Sequence, residues 1–258
     1  MPRNWLICVA LLTLLTAGAA IGSRSSQDPA RVVAFYADKG EPDHVQFAEQ
    51  AIRFFGEMAK QEGLDFSVTT DWEKLNEAET KDVRLMMWLN DFPKTAQQRT
   101  AFETYMKNGG GWLGFHVAAY NDADTHWPWF VNFLGGAVFY GNNWPPLPAT
   151  LRVEDTSNPM TRRLPASFLA PQNEWYIWEP SPRKNKEVKV LMTLDAKNYP
   201  VGLKDVIANG DLPVVWTNTR YRMLYVNMGH GDKIFTNEVQ NRLFEDAVRE
   251  LVKAGEKK

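Results

Sequence analysis

Two periods of apolar residues alternate along this chain, and the switches between them mark out its elements. Arg31-Val-Val-Ala-Phe-Tyr36 is a short continuous apolar run, the pattern of a buried strand. From His44 to Gly63 the period becomes helical, with Phe47, Ala51, Phe54, Phe55 and Met58 at three- and four-residue steps, and Gly63 supplies the stop. Phe66 to Thr70 predicts a second strand. Val83 to Leu89 is an apolar run broken only by Arg84, as a central parallel strand requires. Thr95 predicts the N-cap of a helix running through Phe102 and Tyr105 to Asn108. Gly109-Gly110-Gly111 ends that helix, and Trp112 to Phe115 forms the next strand. The resulting β-α-β-α-β order predicts a parallel sheet with right-handed crossovers.

The second half reads differently. Ala149–Val153, Glu174–Trp178, Val188–Leu194, Pro213–Thr217 and Met223–Asn227 all read as strands, with few helices between them. Asn237 to Ala254 closes the pattern as an amphipathic helix with Val239, Leu243, Phe244, Ala247, Val248 and Leu251 on one face. The expected fold is α/β: a doubly wound parallel sheet extended by antiparallel strands, in one domain over residues 31–254. The loop Gly135 to Pro148 carries Tyr140, Asn142, Asn143, Trp144 and several prolines, a composition that suits a site wall better than a tether.

The first residues read as a targeting segment. Arg3 precedes an apolar stretch from Trp5 to Leu15, and small residues follow up to Gly22. Residues 1–22 are expected to be a secretory signal peptide, with an uncleaved anchor as the alternative, and the protein is expected to be exported. The stretch is too short for a comfortable membrane span, and no span is expected in the mature chain. Cys8, the one cysteine, lies in it. The processed chain then has neither a disulfide nor a cysteine nucleophile.

Composition narrows the function classes. The 258 residues are 44% hydrophobic and 23% charged with a net charge of −2, and the basic residues are scattered among acids. No nucleic-acid partner is expected. Aromatic residues reach 12%, with 10 Trp. They serve core packing, a ring-stacking cleft, or both.

Candidate chemistry gathers at strand ends. Gly109-x-Gly111-x-x-Gly114 matches a dinucleotide fingerprint only formally, because it follows a helix and enters a strand rather than the reverse. His116 stands at the carboxyl end of its predicted strand, where open α/β sheets bind ligands. His230, flanked by Gly229 and Gly231, follows another strand. Both suit acid–base work. Glu174 lies among aromatics, where desolvation would raise its pKa. Trp216 is a candidate cleft floor or a core residue. His44 is either an exposed helix-start residue or a site member. Asp122, Asp124 and His126 read as loop and capping chemistry. No H-x-x-x-H, H-E-x-x-H, paired-cysteine or G-x-S-x-G spacing occurs, so neither a metal site nor a cofactor is expected.

Several of these segments together resemble the ThuA-like (trehalose utilisation) family: Gly110-Gly-Trp-Leu-Gly-Phe-His116, Trp127-Pro-Trp129, Leu151-Arg-Val-Glu-Asp155, Asn173-Glu-Trp-Tyr176, Leu191-Met-Thr-Leu-Asp195, Pro213-Val-Val-Trp216 and Gly229-His230, in that order. The resemblance covers residues 31–254. It implies a flavodoxin-like, class I glutamine amidotransferase-like fold in which His116 lies at or near the position of the lost amidotransferase cysteine. It implies carbohydrate chemistry on disaccharides or 3-keto sugars, and His44, His116, Glu174, Trp216 and His230 match positions of the family pattern. Together with the residues' own reading, His116, His230 and Glu174 are expected to be catalytic, and Trp216, Trp144, Asn143, Tyr176 and His44 to contact a small carbohydrate. The chain also departs from the family pattern. A His-Pro pair is replaced within Tyr140-Gly-Asn-Asn-Trp-Pro145, a histidine by Leu212, and an Asp by Asn173. A metal centre built on those side chains is not expected.

Two functional readings follow. One is an enzyme that isomerises, eliminates or hydrolyses a disaccharide or keto-sugar by His/Glu acid–base chemistry. The alternative is a non-catalytic carbohydrate-binding or scaffold protein that kept the fold.

Overall fold

A computed structural model describes Met1 and residues 28–121, 127–195, 197 and 211–253. The expected signal segment, the Asp122–His126 patch and Ala254 lie outside the described residues.

The sheet follows the alternating pattern closely. Its strands are β1 (Arg31–Phe35), β2 (Asp65–Thr69), β3 (Val83–Trp88), β4 (Gly111–Phe115), β6 (Leu147–Val153), β7 (Ser167–Asn173), β9 (Val188–Leu194), β10 (Pro213–Asn218) and β11 (Arg222–Val226). Their spatial order is β2-β1-β3-β4-β11-β10-β9-β6-β7. The first five in that order pair in parallel, the flavodoxin-like arrangement. The remaining pairings are antiparallel. A small second sheet joins β5 (Phe139–Asn142) to β8 (Tyr176–Trp178).

Burial on both faces explains the apolar runs of β3, from Leu85 onward, and of β4. Leu85, Met87, Leu113 and Phe115 face one core, with α1 (Pro42–Glu62) and α5 (Glu238–Leu251) packed over it. Met86, Trp88 and Trp112 face a second, strongly aromatic core containing Phe102 of α3 (Ala96–Lys107) and Phe130 and Phe133 of α4 (Pro128–Phe133). A four-residue helix, α2 (Glu77–Thr80), precedes β3. Thr95 caps α3 through a capping box with Gln98, and Gly63 ends α1 at φ 66°.

Two departures from the sequence reading matter for the site. Glu174 and Trp175 are not in a strand. Trp175 N–H donates to the Asn143 side chain at 2.6 Å and Tyr176 N–H to the Asn227 side chain at 3.2 Å, so amide side chains rather than a neighbouring strand hold this corner. The strand before it, β7, carries Pro171, which breaks a strand signal but is tolerated because β7 lies at the sheet edge. The antiparallel half curls back, so that Asn173 at the end of β7 reaches Asn227 just beyond β11.

Candidate functional site

The carboxyl ends of β1, β4 and β11 open onto one crevice, and each delivers a histidine to it. After β1, Glu41 caps α1 by accepting from His44 N–H at 2.8 Å, which places His44 in the first helical turn. Asn90, beyond β3, pins this loop by accepting from Ala37 N–H and donating to the Ala37 and His44 carbonyls. After β4 the chain turns sharply into a short 3-10 segment, and His116 sits at the turn with φ 45°. That is left-handed backbone, unusual for a residue with a Cβ, and strain of this kind concentrates at functional sites. After β11, Gly229 passes so close that a Cβ there would lie 2.5 Å from the His116 Cβ. Gly229 N–H and His230 N–H both donate to the Asn173 side chain at 3.1 Å.

The side chains converge. The three imidazole centroids lie 5.0–5.5 Å apart. His116 donates from Nδ1 to the Asn227 carbonyl at 2.9 Å, which leaves Nε2 facing Glu174 Oε2 at 3.1 Å. Asn142 donates to the other Glu174 oxygen. His230 Nε2 lies 3.9 Å from Glu174 Oε2 and 3.7 Å from Glu41 Oε2. Tyr176 packs against the His116 ring with centroids 3.9 Å apart.

Burial sets the protonation. Desolvation first, then the neighbouring His230, pushes His116 down to about 3. Desolvation, then His116 and His230, pushes His44 down to about 4. Desolvation raises Glu174 above its ordinary range. A carbonyl only accepts, so His116 Nδ1 keeps its hydrogen and Nε2 is the basic atom. Nε2 and the Glu174 carboxyl can therefore hold a cation between them, a proton included, and burial raises the carboxyl's affinity for that proton.

The structure sorts the residues expected from sequence. His44, His116, Glu174 and His230 come together. His116 is wholly buried, so it meets the cleft through Glu174, which keeps 14% of its side chain exposed. Trp144 is 70% exposed and sets its ring edge-on to His230, free to meet a ligand. Trp216 is no cleft floor: it is fully buried against Trp178 and Tyr225 and donates to the Leu134 carbonyl, so packing accounts for it. Asn143 and Tyr176 are buried too, and Asn143 braces the loop by donating to the Pro145 carbonyl. Sequence reading passed over Glu41 and Asn227 as site residues, counted Asn142 only as part of a site wall, and took Asn173 for a loss. Asn142, Asn173 and Asn227 act through contacts distant in sequence, and Glu41 combines a local helix cap with an approach to His230.

Two groups of side chains have the donors to hold a metal ion: Glu41, His44 and His230, and His44, His116 and Glu174, with the ligand atoms of each group within 4.8 Å of one another. The short spacings that were sought in the sequence do not report on ligands gathered from separate elements.

The fold has counterparts. A ThuA-like protein from Bacteroides uniformis is 50% identical, covers 89% of this chain and 94% of its own, and superposes with a TM-score of 0.84. A second ThuA-like protein, from Parabacteroides merdae, is 16% identical over 86% of this chain and 90% of its own, with a TM-score of 0.61. A Bacillus circulans β-galactosidase shares the fold over 30% of its length at 11% identity and a TM-score of 0.53. No curated protein matches the sequence. The profile of the trehalose utilisation family, ThuA, matches residues 31–249. With that match across most of its length, the chain belongs to the ThuA family.

Proposed function

We propose that this protein is an exported enzyme that moves protons on a small carbohydrate, a disaccharide or keto-sugar. The observation that carries the reading is the pairing of Glu174 with His116 Nε2 at 3.1 Å in a crevice at the strand ends. A buried carboxyl that shares its proton with an imidazole can give it to a leaving or carbonyl oxygen and recover it. His116 positions and recharges Glu174 from behind, and His230 is the second base. Trp144 offers an exposed aromatic face and Asn142 an amide at the rim, which suits a neutral ring with hydroxyl groups. Membership of a trehalose utilisation family supports a carbohydrate role, and the apolar segment after Arg3 supports export.

The test is an NMR time course of the purified protein with 3-keto-trehalose or a 3-keto-glucoside, beside Glu174→Gln. Gln keeps the shape and can donate to His116 Nε2, but has no proton to transfer. Turnover by the wild type that falls about 100-fold or more in the variant is the expected result. Equal turnover in both would sink the role of Glu174. Line broadening without turnover would show the alternative, a carbohydrate-binding protein without chemistry.

A further inference from the structure

The three histidines of the crevice share an orientation that acid–base chemistry alone does not require. Each presents Nδ1 to an oxygen: His116 to the Asn227 carbonyl at 2.9 Å, His230 to Asp43 Oδ2 at 3.5 Å and His44 to Glu41 Oε2 at 3.7 Å. An imidazole with an oxygen behind one nitrogen and the other turned inward is the usual posture of a metal ligand. One inward nitrogen is under-satisfied: His44 Nε2 is buried without a hydrogen-bond partner. His230, only 3% exposed, turns Nε2 toward Glu174 and Glu41, while its Nδ1 faces Asp43 beyond hydrogen-bond reach. Separations of 3.1 and 3.9 Å between Glu174 Oε2 and the Nε2 atoms of His116 and His230 are close to those of adjacent ligands around one ion with bonds of about 2.0–2.2 Å.

We propose that His44, His116, His230 and Glu174 bind one divalent transition-metal ion of the zinc class. Three imidazole nitrogens and a carboxylate oxygen form a borderline-soft set that selects Zn2+ or Co2+ over Mg2+ or Ca2+. Glu41, 44% exposed, stays at the rim and is not a ligand. A bound ion of this class polarises a carbonyl oxygen or acidifies a water. The inference does not depend on a sugar substrate, and it is read without one.

The experiment is titration of the chelator-stripped, full-length protein with Co2+, followed by visible absorption and calorimetry, with Zn2+ as competitor. The expected result is one ion per chain, visible bands of a nitrogen-rich low-coordinate site, and their loss when Zn2+ is added. His44→Gln and Glu174→Gln should each weaken binding at least tenfold, and Glu41→Gln should leave it within about twofold. His44 lies in the first turn of a long helix, so its Gln variant tests the ligand without disturbing the core. Absence of binding overturns the proposal. So does binding that survives both His44→Gln and Glu174→Gln, or that is lost in Glu41→Gln while Glu174→Gln retains it. A protein that binds the ion but turns over no keto-sugar keeps this inference and loses the proposed function; the reverse outcome does the opposite.

Discussion

The strands β4 and β11 lie side by side, and their two ends have been built to different purposes. At the amino ends the loose backbone groups are tied off. Tyr105 donates to the Gly111 carbonyl at 2.7 Å, and Arg222 donates to the Gly109 carbonyl at 2.9 Å and to the Leu251 and Lys253 carbonyls. At the carboxyl ends β4 leads to a strained His116 and β11 to His230, whose Nδ1 lacks a partner. An unpaired buried polar group costs about 1–3 kcal/mol. For its loose backbone carbonyls the amino end avoids that cost, and at the carboxyl end an imidazole carries it. Lack of a partner is not by itself a mark of function, since Trp72, Trp88, Trp112 and Trp178 also bury indole nitrogens without one. Those indoles pack among rings in an aromatic core. The imidazoles converge on a carboxyl group, and convergence is what separates the two cases.

Matched glycine substitutions break this comparison most sharply. At Gly111 a Cβ would stand 2.6 Å from the Leu251 carbonyl oxygen and 2.9 Å from that of Arg84; at Gly229 it would stand 2.5 Å from the His116 Cβ. Overpacking of this kind costs about 1–3 kcal/mol. Gly111→Ala should lose that stability and keep turnover, while Gly229→Ala should lose both. Denaturant melts and the keto-sugar time course check this, and an active Gly229→Ala would show that the His116 turn tolerates displacement.

The pH dependence of stability is the next largest effect, and it arises at the carboxyl ends. In the metal-free folded protein His116 is held at about 3 and His44 at about 4, whereas both titrate near 6.5 when exposed. Below pH 6.5 the unfolded chain therefore binds more protons. Stability is full above that pH and falls as the pH drops, by up to about 1.4 kcal/mol per unit for each histidine. Glu174, raised by burial, offsets part of the loss as the pH approaches the carboxylate range. Denaturant melts in EDTA at pH 7, 6 and 5 should show the decline, and His116→Gln should remove one histidine's share. A flat profile would mean that the folded imidazoles take up protons freely.

The smallest effect isolates the turn itself. His116→Gly and His116→Ala both delete the imidazole, but only glycine relieves the left-handed backbone. The Gly variant should be the more stable by about 1 kcal/mol, with neither active. Equal melting curves would show that the turn holds no strain.

The alternating periods made most of the sheet legible. The apolar runs of β1, β3 and β4 are wholly local signals, as are the Thr95 cap and the Gly63 stop. β7 was hidden by Pro171, and the strand expected over Glu174 and Trp175 dissolved because side-chain amides satisfy their backbone, a solution no local pattern records. At the site, His116 and His230 were visible because each follows a strand. Glu41, Asn173 and Asn227 were not, since their roles rest on partners that only folding supplies, such as the Asn173 amide reaching across to Gly229 and His230.

Glu174 is the one central side chain delivered by the antiparallel half of the sheet, while the histidines come from the parallel half. The site is thus a clasp fastened across a seam, with Asn173 and Asn227 as its stitching. An occupant held by both Glu174 and the imidazoles would add a second tie between halves already joined through β10 and β11. Filling the crevice would, for this architecture, also brace the seam between the parallel and antiparallel strands.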